Sequence, residues 1–172
     1  MEKAGYAFTV DPSSFDEDSV DPHSMPPHDL ARFLSLQKAL DVASRHPDSV
    51  VLAADTFIVH EGEIMGKPHA PEEARRMLRA LSGRTHSVIT GYSIVDGQKH
   101  ISDSVESRVT FRQLTEKEID EYIASGEPLD KAGAYAIQEN GAALVESLEG
   151  SLDNVVGLPM DEVSEALRTF LI

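Results

Sequence analysis

Asp55 closes a short apolar run, Ser49 to Ala54, and further on Lys67 stands directly before Pro68. A helical pattern follows, and after it come Ser82, Arg84 and Thr85. In that order a carboxylate, an ammonium and several hydroxyl donors can reach one rim of a sheet, which suits a phosphate and its metal. A carboxylate directly after a buried strand is either exposed at the rim or satisfied by a partner. Asp55 is therefore open to two readings, a turn cap accepting backbone N–H groups or a functional acid. Pro68 disfavours helical geometry in the residue before it, which holds Lys67 extended and lets its ammonium be aimed. A lone loop lysine is otherwise simply solvated. Glu17, in FDED, is a solvated turn residue or one of two acids sharing a metal from separate loops, with Asp55 as the second. Lys38 falls out of phase with the apolar stripe of its helix and on that ground points to water. Gln138, in AYAIQENG, is a buried amide satisfying loop backbone or a group that orients a substrate or a metal-bound water. Ser82, Arg84 and Thr85 offer donors to an anion, although a hydroxyl-rich loop is common.

The totals remove several classes. No apolar run approaches the ~18 residues of a membrane span, and MEKAGYAFTV lacks a basic region followed by an apolar one, so the expected location is cytoplasmic. Cysteine is absent, which excludes disulfides, zinc-thiolate sites and cysteine nucleophiles. A net charge of -15 would repel a nucleic-acid backbone. A small polyphosphate is still accessible to a few local cations and a divalent metal. The seven histidines show only a loose His23 to His28 pair, so no zinc site is expected. No GxSxG, P-loop or GxGxxG is present.

The elements that must position these residues make a mixed α/β pattern in one domain of 172 residues. Phe15 to Asp29, rich in Asp, Pro, Ser and His, reads as a loop. The next helix, capped by His28 or Asp29 and ending near His46, shows Leu30, Phe33, Leu36, Leu40 and Ala43 as its apolar stripe. Ser49 to Ala54 is a buried strand with Asp55 at its exit, and Phe57 to Val59 and Glu63 to Met65 flank a Glu61-Gly62 turn. Pro71 opens a helix that stops before Gly83. Strands at Ser87 to Val95 and Lys99 to Arg112 flank Asp96-Gly97, the second with Ile101, Val105, Val109 and Phe111 on one face and a wet opposite face. Thr115 and Glu118 form a capping box for a helix that Gly126 ends. Lys131 to Gly141 reads as loop and short strand, Ala142 to Glu146 as a strand, Asn154 to Pro159 as a tight connection and Met160 to Phe170 as a closing helix.

The segments FDED, AADT, GKP, LSGRTHSVITG, TFRQL, GEPLDKAGAYAIQ and NVVGLP resemble the Maf family of nucleotide pyrophosphatases over essentially the whole chain. The resemblance implies an α/β fold, Maf/ITPase-like, with an elongated mixed sheet flanked by helices and two lobes about a central cleft. It implies hydrolysis of a nucleoside triphosphate between the α and β phosphates, to monophosphate and pyrophosphate, with a divalent cation such as Mg or Mn, and a homodimer. Asp55 looks like the family's essential acid, as general base or metal ligand. Glu17 matches a metal position, and Lys38, Lys67 and Gln138 match positions around the substrate phosphates. Asp130 to Gln138 looks like the dTTP/UTP branch rather than the 7-methyl-GTP branch. Family members also begin with a strand and a Ser-Pro-Arg-Arg loop, which these 172 residues do not contain. Without that arginine pair, weak or absent turnover is expected of these 172 residues alone. The competing expectation is a nucleotide-binding or regulatory module that holds a metal-nucleotide without cutting it.

Overall fold

The computed structural model describes Met1 and residues 4–170. Its elements are α1 (Pro27–Arg45), β1 (Val51–His60), β2 (Glu63–Met65), α2 (Pro71–Leu81), β3 (Thr85–Asp96), β4 (Lys99–Phe111), α3 (Glu116–Ala124), β5 (Val145–Glu149), α4 (Leu152–Val156) and α5 (Met160–Phe170). Short 3-10 turns occupy Glu17–Ser19, Glu127–Asp130, Ala132–Ala134 and Asn140–Leu144. The strands form one sheet in the order β2-β1-β3-β4-β5. β1 pairs antiparallel with β2, as β4 does with β5. This is the mixed α/β class expected.

Local chemistry sets many of these boundaries. Pro71 occupies the first turn of α2, where its missing N–H costs nothing, and Gly83 beyond the helix end takes φ 67°. Thr115 Oγ1 accepts from the Glu118 N–H while the Glu118 carboxylate accepts from the Thr115 N–H, so the capping box is closed both ways. Glu61-Gly62 and Gly97-Gln98 make the turns of the β1–β2 and β3–β4 hairpins.

Four expectations are corrected. The strand that was to stop before Asp55 runs on to His60, placing Asp55 in its middle rather than at a rim. The Asp55-Thr56 pair looks like a break, but sheet hydrogen bonding uses the backbone and tolerates a polar pair whose side chains find partners. Residues 140–144 form a 3-10 turn, and β5 begins only at Val145. The first half of the connection expected over Asn154 to Pro159 lies within the short helix α4. In β4, Ile101 is exposed while Ser102 and Ser104 are partly buried, because α1 side chains reach that side: Ser104 Oγ meets His28 Nδ1 and Arg32 Nη1.

The chain forms two compact units, Met1–Asp55 with Thr90–Val105 and Gly157–Ile172, and Thr56–Ile89 with Glu106–Val156. In the first, Tyr92, Ile94, Val163 and Leu167 make one buried cluster, and Ala39, Val51 and Val95 another. The second has a larger core that includes Leu78, Leu81, Val109, Phe111, Ile119 and Tyr135.

Helix α1 buries Leu30, Ala31, Leu34, Ser35 and Ala39, whereas Leu40 of the expected stripe is exposed. The cause is a close approach to β3. A Cβ on Gly91 would lie 2.1 Å from the Ala31 carbonyl oxygen, so the helix backbone rests directly on the strand. Small residues at the contact permit this spacing, and the larger apolar side chains flank it. Lys38 lies two helical turns beyond Ala31 and therefore shares the inward face. Ser35 continues the contact through hydroxyls: its Oγ is 2.7 Å from Ser93 Oγ, which is 2.8 Å from Ser102 Oγ.

Candidate active site

Lys38 Nζ lies 2.5 Å from Asp55 Oδ1 and 2.6 Å from Glu17 Oε2. The side chains of Asp55, Lys38 and Glu17 are 11%, 20% and 46% exposed, so the acid of the strand is the deepest of the three. Lys38 thus points to a carboxylate pair and not to water, which corrects the reading from its helical phase. Burial pushes the Asp55 carboxyl upward; the Lys38 charge and hydrogen bond oppose this, Glu17 adds to it, and the net direction is up. For Lys38 burial disfavours the ammonium, but the charges and hydrogen bonds of Asp55 and Glu17 prevail and raise it. The result is a protonated lysine beside an acid whose proton affinity exceeds that of an ordinary aspartate.

The segment carrying Glu17 is fastened along α1. The Asp41 carboxylate accepts from Ser14 N at 2.8 Å, Ser13 Oγ at 2.9 Å, Ser14 Oγ at 3.0 Å and Arg45 Nη1 at 3.0 Å. Those bonds, the Ser14 backbone N–H first, hold the Asp41 carboxyl far below the usual carboxylate range. Asp11 adds contacts to Arg45 and, at 2.7 Å, to His46 Nε2. Sequence reasoning passed over Asp41. Its only advance signal is its place one turn after Lys38 on the helix.

Two carboxylates whose acceptors are hard oxygens fit Mg or Mn, which is commonly bound through one or two carboxylates with substrate phosphates completing the shell. Among the described residues no group of three or more His, Cys, Asp or Glu could hold a metal.

Lys67 and Gln138 belong to the second unit. Lys67 is exposed beside buried Pro68, and Gly66 before it accepts a backbone hydrogen bond from Gly133 at 3.0 Å. Gly133 and Ala134 take φ 62° and 63°, so two successive left-handed residues turn the chain and drive Tyr135 inward. Gln138 is exposed, which removes the buried-amide alternative. It lines a cavity of about 260 Å³ together with Ile58, Val88, Lys131, Ile137 and Val155. Ser82, Arg84 and Thr85 are otherwise engaged: Ser82 Oγ accepts from Leu114 N at 2.8 Å, Arg84 pairs with Glu61 at 2.8 Å, and Thr85 meets Thr110 at 2.8 Å. These contacts tie all three residues to the fold.

Comparison with known proteins adds an independent line. The family model described as Maf-like protein matches residues 1–170. A protein of Moorella thermoacetica named dTTP/UTP pyrophosphatase is 48% identical over 172 residues, covering 99% of this chain and 88% of the relative. Proteins of the same name from Bacillus cereus and Bacillus anthracis are 44% and 43% identical, each covering 100% of this chain and 89% of the relative. No described helix is long and apolar enough to cross a membrane. With a mixed α/β fold and an acid–lysine–acid cluster formed from FDED, α1 and AADT, this chain belongs to the Maf-like protein family.

Proposed function

We propose that the chain is a nucleoside triphosphate pyrophosphatase acting on dTTP and UTP, which cleaves the bond between the α and β phosphates and releases the monophosphate and pyrophosphate. The observation that carries this reading is the deep Asp55 carboxylate held by Lys38 and joined by Glu17. The names of the relatives support the pyrimidine substrate and favour an enzyme over a binding module.

Asp55 acts as general base. Water loses its proton to the Asp55 carboxylate as its oxygen attacks phosphorus, and the bridging oxygen leaves with its electron pair as part of pyrophosphate. Lys38 keeps Asp55 oriented and offsets charge. Lys67 contacts phosphate oxygens, and Gln138 orients the substrate at the cavity beside it, whose apolar walls suit a pyrimidine base. Glu17 and Asp55 would hold the divalent cation, Mg or Mn, which when bound neutralises phosphate charge and polarises the phosphoryl group. We assign the reaction to the cytoplasm, the working form to a homodimer, and the partner to a free nucleotide, since a chain of net charge -15 is poorly suited to a nucleic-acid polymer.

The test is pyrophosphate release from dTTP, UTP and 7-methyl-GTP with Mg or Mn, for the chain and for Asp55→Asn. Release from the two pyrimidine nucleotides that falls by about 10²- to 10⁴-fold in the variant is expected. Equal rates in both proteins would reject Asp55 as the base.

A further inference from the structure

The exposed Gln138 sits on a six-residue segment, Ala136 to Gly141, whose two ends are drawn to one pair of side chains. The Glu127 carboxylate accepts from Gly141 N at 3.2 Å, Asn140 N at 3.2 Å and Asn140 Nδ2 at 3.0 Å. It also accepts from Tyr122 Oη at 2.8 Å, and that same oxygen accepts from Ala136 N at 3.2 Å. Tyr122 lies on α3, whose capping box and buried Ile119 and Ile123 fix it in the core. Burial opposes ionisation of Glu127, but the bonds from Tyr122, Gly141 and Asn140 prevail and hold its carboxyl below the usual range. The segment is also closed sterically. A Cβ on Gly141 would lie 2.3 Å from the Ala136 carbonyl oxygen and 2.8 Å from Tyr122 Oη.

We propose that Tyr122 and Glu127 are positioning residues, a clasp that closes the Ala136–Gly141 segment and thereby sets where Gln138 stands relative to the substrate. This inference rests on the assignment of Gln138 to substrate orientation. A carboxylate suits the place because it accepts from four donors at once, which a neutral amide cannot do. Without the clasp Gln138 is expected to sample several positions.

The test measures pyrophosphate release from dTTP by the whole chain carrying Glu127→Gln, Tyr122→Phe or Gly141→Ala, each also combined with Gln138→Ala, with the melting temperature recorded throughout. Displacement of an orienting group by about 1 Å costs up to about 10²-fold. Each clasp variant is accordingly expected to lose about ten- to a hundredfold in kcat in the parent background and less than about twofold when Gln138 is already alanine. A merely structural role would lower activity equally in both backgrounds, and that result overturns the proposal. Unchanged kcat in folded Glu127→Gln and Tyr122→Phe overturns it as well, while a drop in Gln138→Ala leaves the Gln138 assignment standing. An unchanged rate in Gln138→Ala removes that assignment and the clasp's function with it. Gly141→Ala retains both clasp side chains and reads the same geometry if either of them proves essential for folding.

Discussion

His86 should make the protein lose stability as pH falls. Its ring is 3% exposed, Nε2 lies 2.8 Å from Tyr135 Oη, and the Phe111 and Tyr135 rings approach edge-on at 5.1 and 5.5 Å. Nδ1 is buried without a hydrogen-bond partner among the described residues. Burial, and secondly the neighbouring His60, push the imidazole from the ordinary 6.5 down to about 4. A tenfold change in proton affinity is worth about 1.4 kcal/mol, so this difference amounts to about 3 kcal/mol. The sign follows from proton counting. Between pH 6.5 and 4 the unfolded chain binds a proton at this site and the folded chain does not, so stability falls with pH across that window and is unaffected by His86 above it. The assay is urea unfolding of the parent and His86→Gln at intervals from pH 4 to 7.5. Glutamine still offers Tyr135 a polar partner but cannot titrate. The parent's stability relative to the variant should decline by about 3 kcal/mol on going from pH 7 to 4. A difference that stays constant with pH would refute the assignment of a neutral, desolvated imidazole.

Other perturbations reach the remaining parts of the argument. Lys38→Met removes the cation that favours ionised Asp55, so the acid limb of the kcat/KM profile for dTTP should move to higher pH, and a limb that stays in place would count against the Lys38–Asp55 pairing. Gly91→Ala forces a Cβ into the Ala31 carbonyl, and overpacking of this kind costs about 1–3 kcal/mol, read as a melting temperature lower by several degrees. Thr115→Ala opens the capping box of α3 and should cost about 1 kcal/mol in denaturant unfolding.

The parts of this fold legible in the sequence are those with local causes. Pro71 and the Thr115–Glu118 pair each act within a few residues, and α2 and α3 lie where they direct; the Asp96-Gly97 signal likewise puts the β3–β4 hairpin in place, with its turn one residue later at Gly97-Gln98. Helix α1 was legible as a helix but not in its buried face. Its orientation is decided by Gly91, distant in sequence, and the contact selects Ala31, Ser35 and Ala39 over larger residues. That same non-local contact turns Lys38 inward, which its spacing alone argued against. Asp55 looked like a strand end for a related reason: the lysine that satisfies it comes from another element. The resemblance named both residues, but their pairing needed the fold. The Tyr122–Glu127 clasp carried no recognisable spacing, since its partners are backbone groups of a loop without periodicity.

The fastening of Ser13 and Ser14 to Asp41 makes α1 the carrier of two of the three charges in the Asp55 cluster. Glu17 and Lys38 are then not independent degrees of freedom, and a fluctuation that lifts the helix withdraws an anion and a cation together. Asp55 is never left facing only the wrong sign of charge, because what departs is neutral as a pair. Hydrogen exchange in residues 13–17 and in α1 should consequently share one opening free energy, and inactivation by gentle heating should appear as a single event rather than as stepwise loss of ligands.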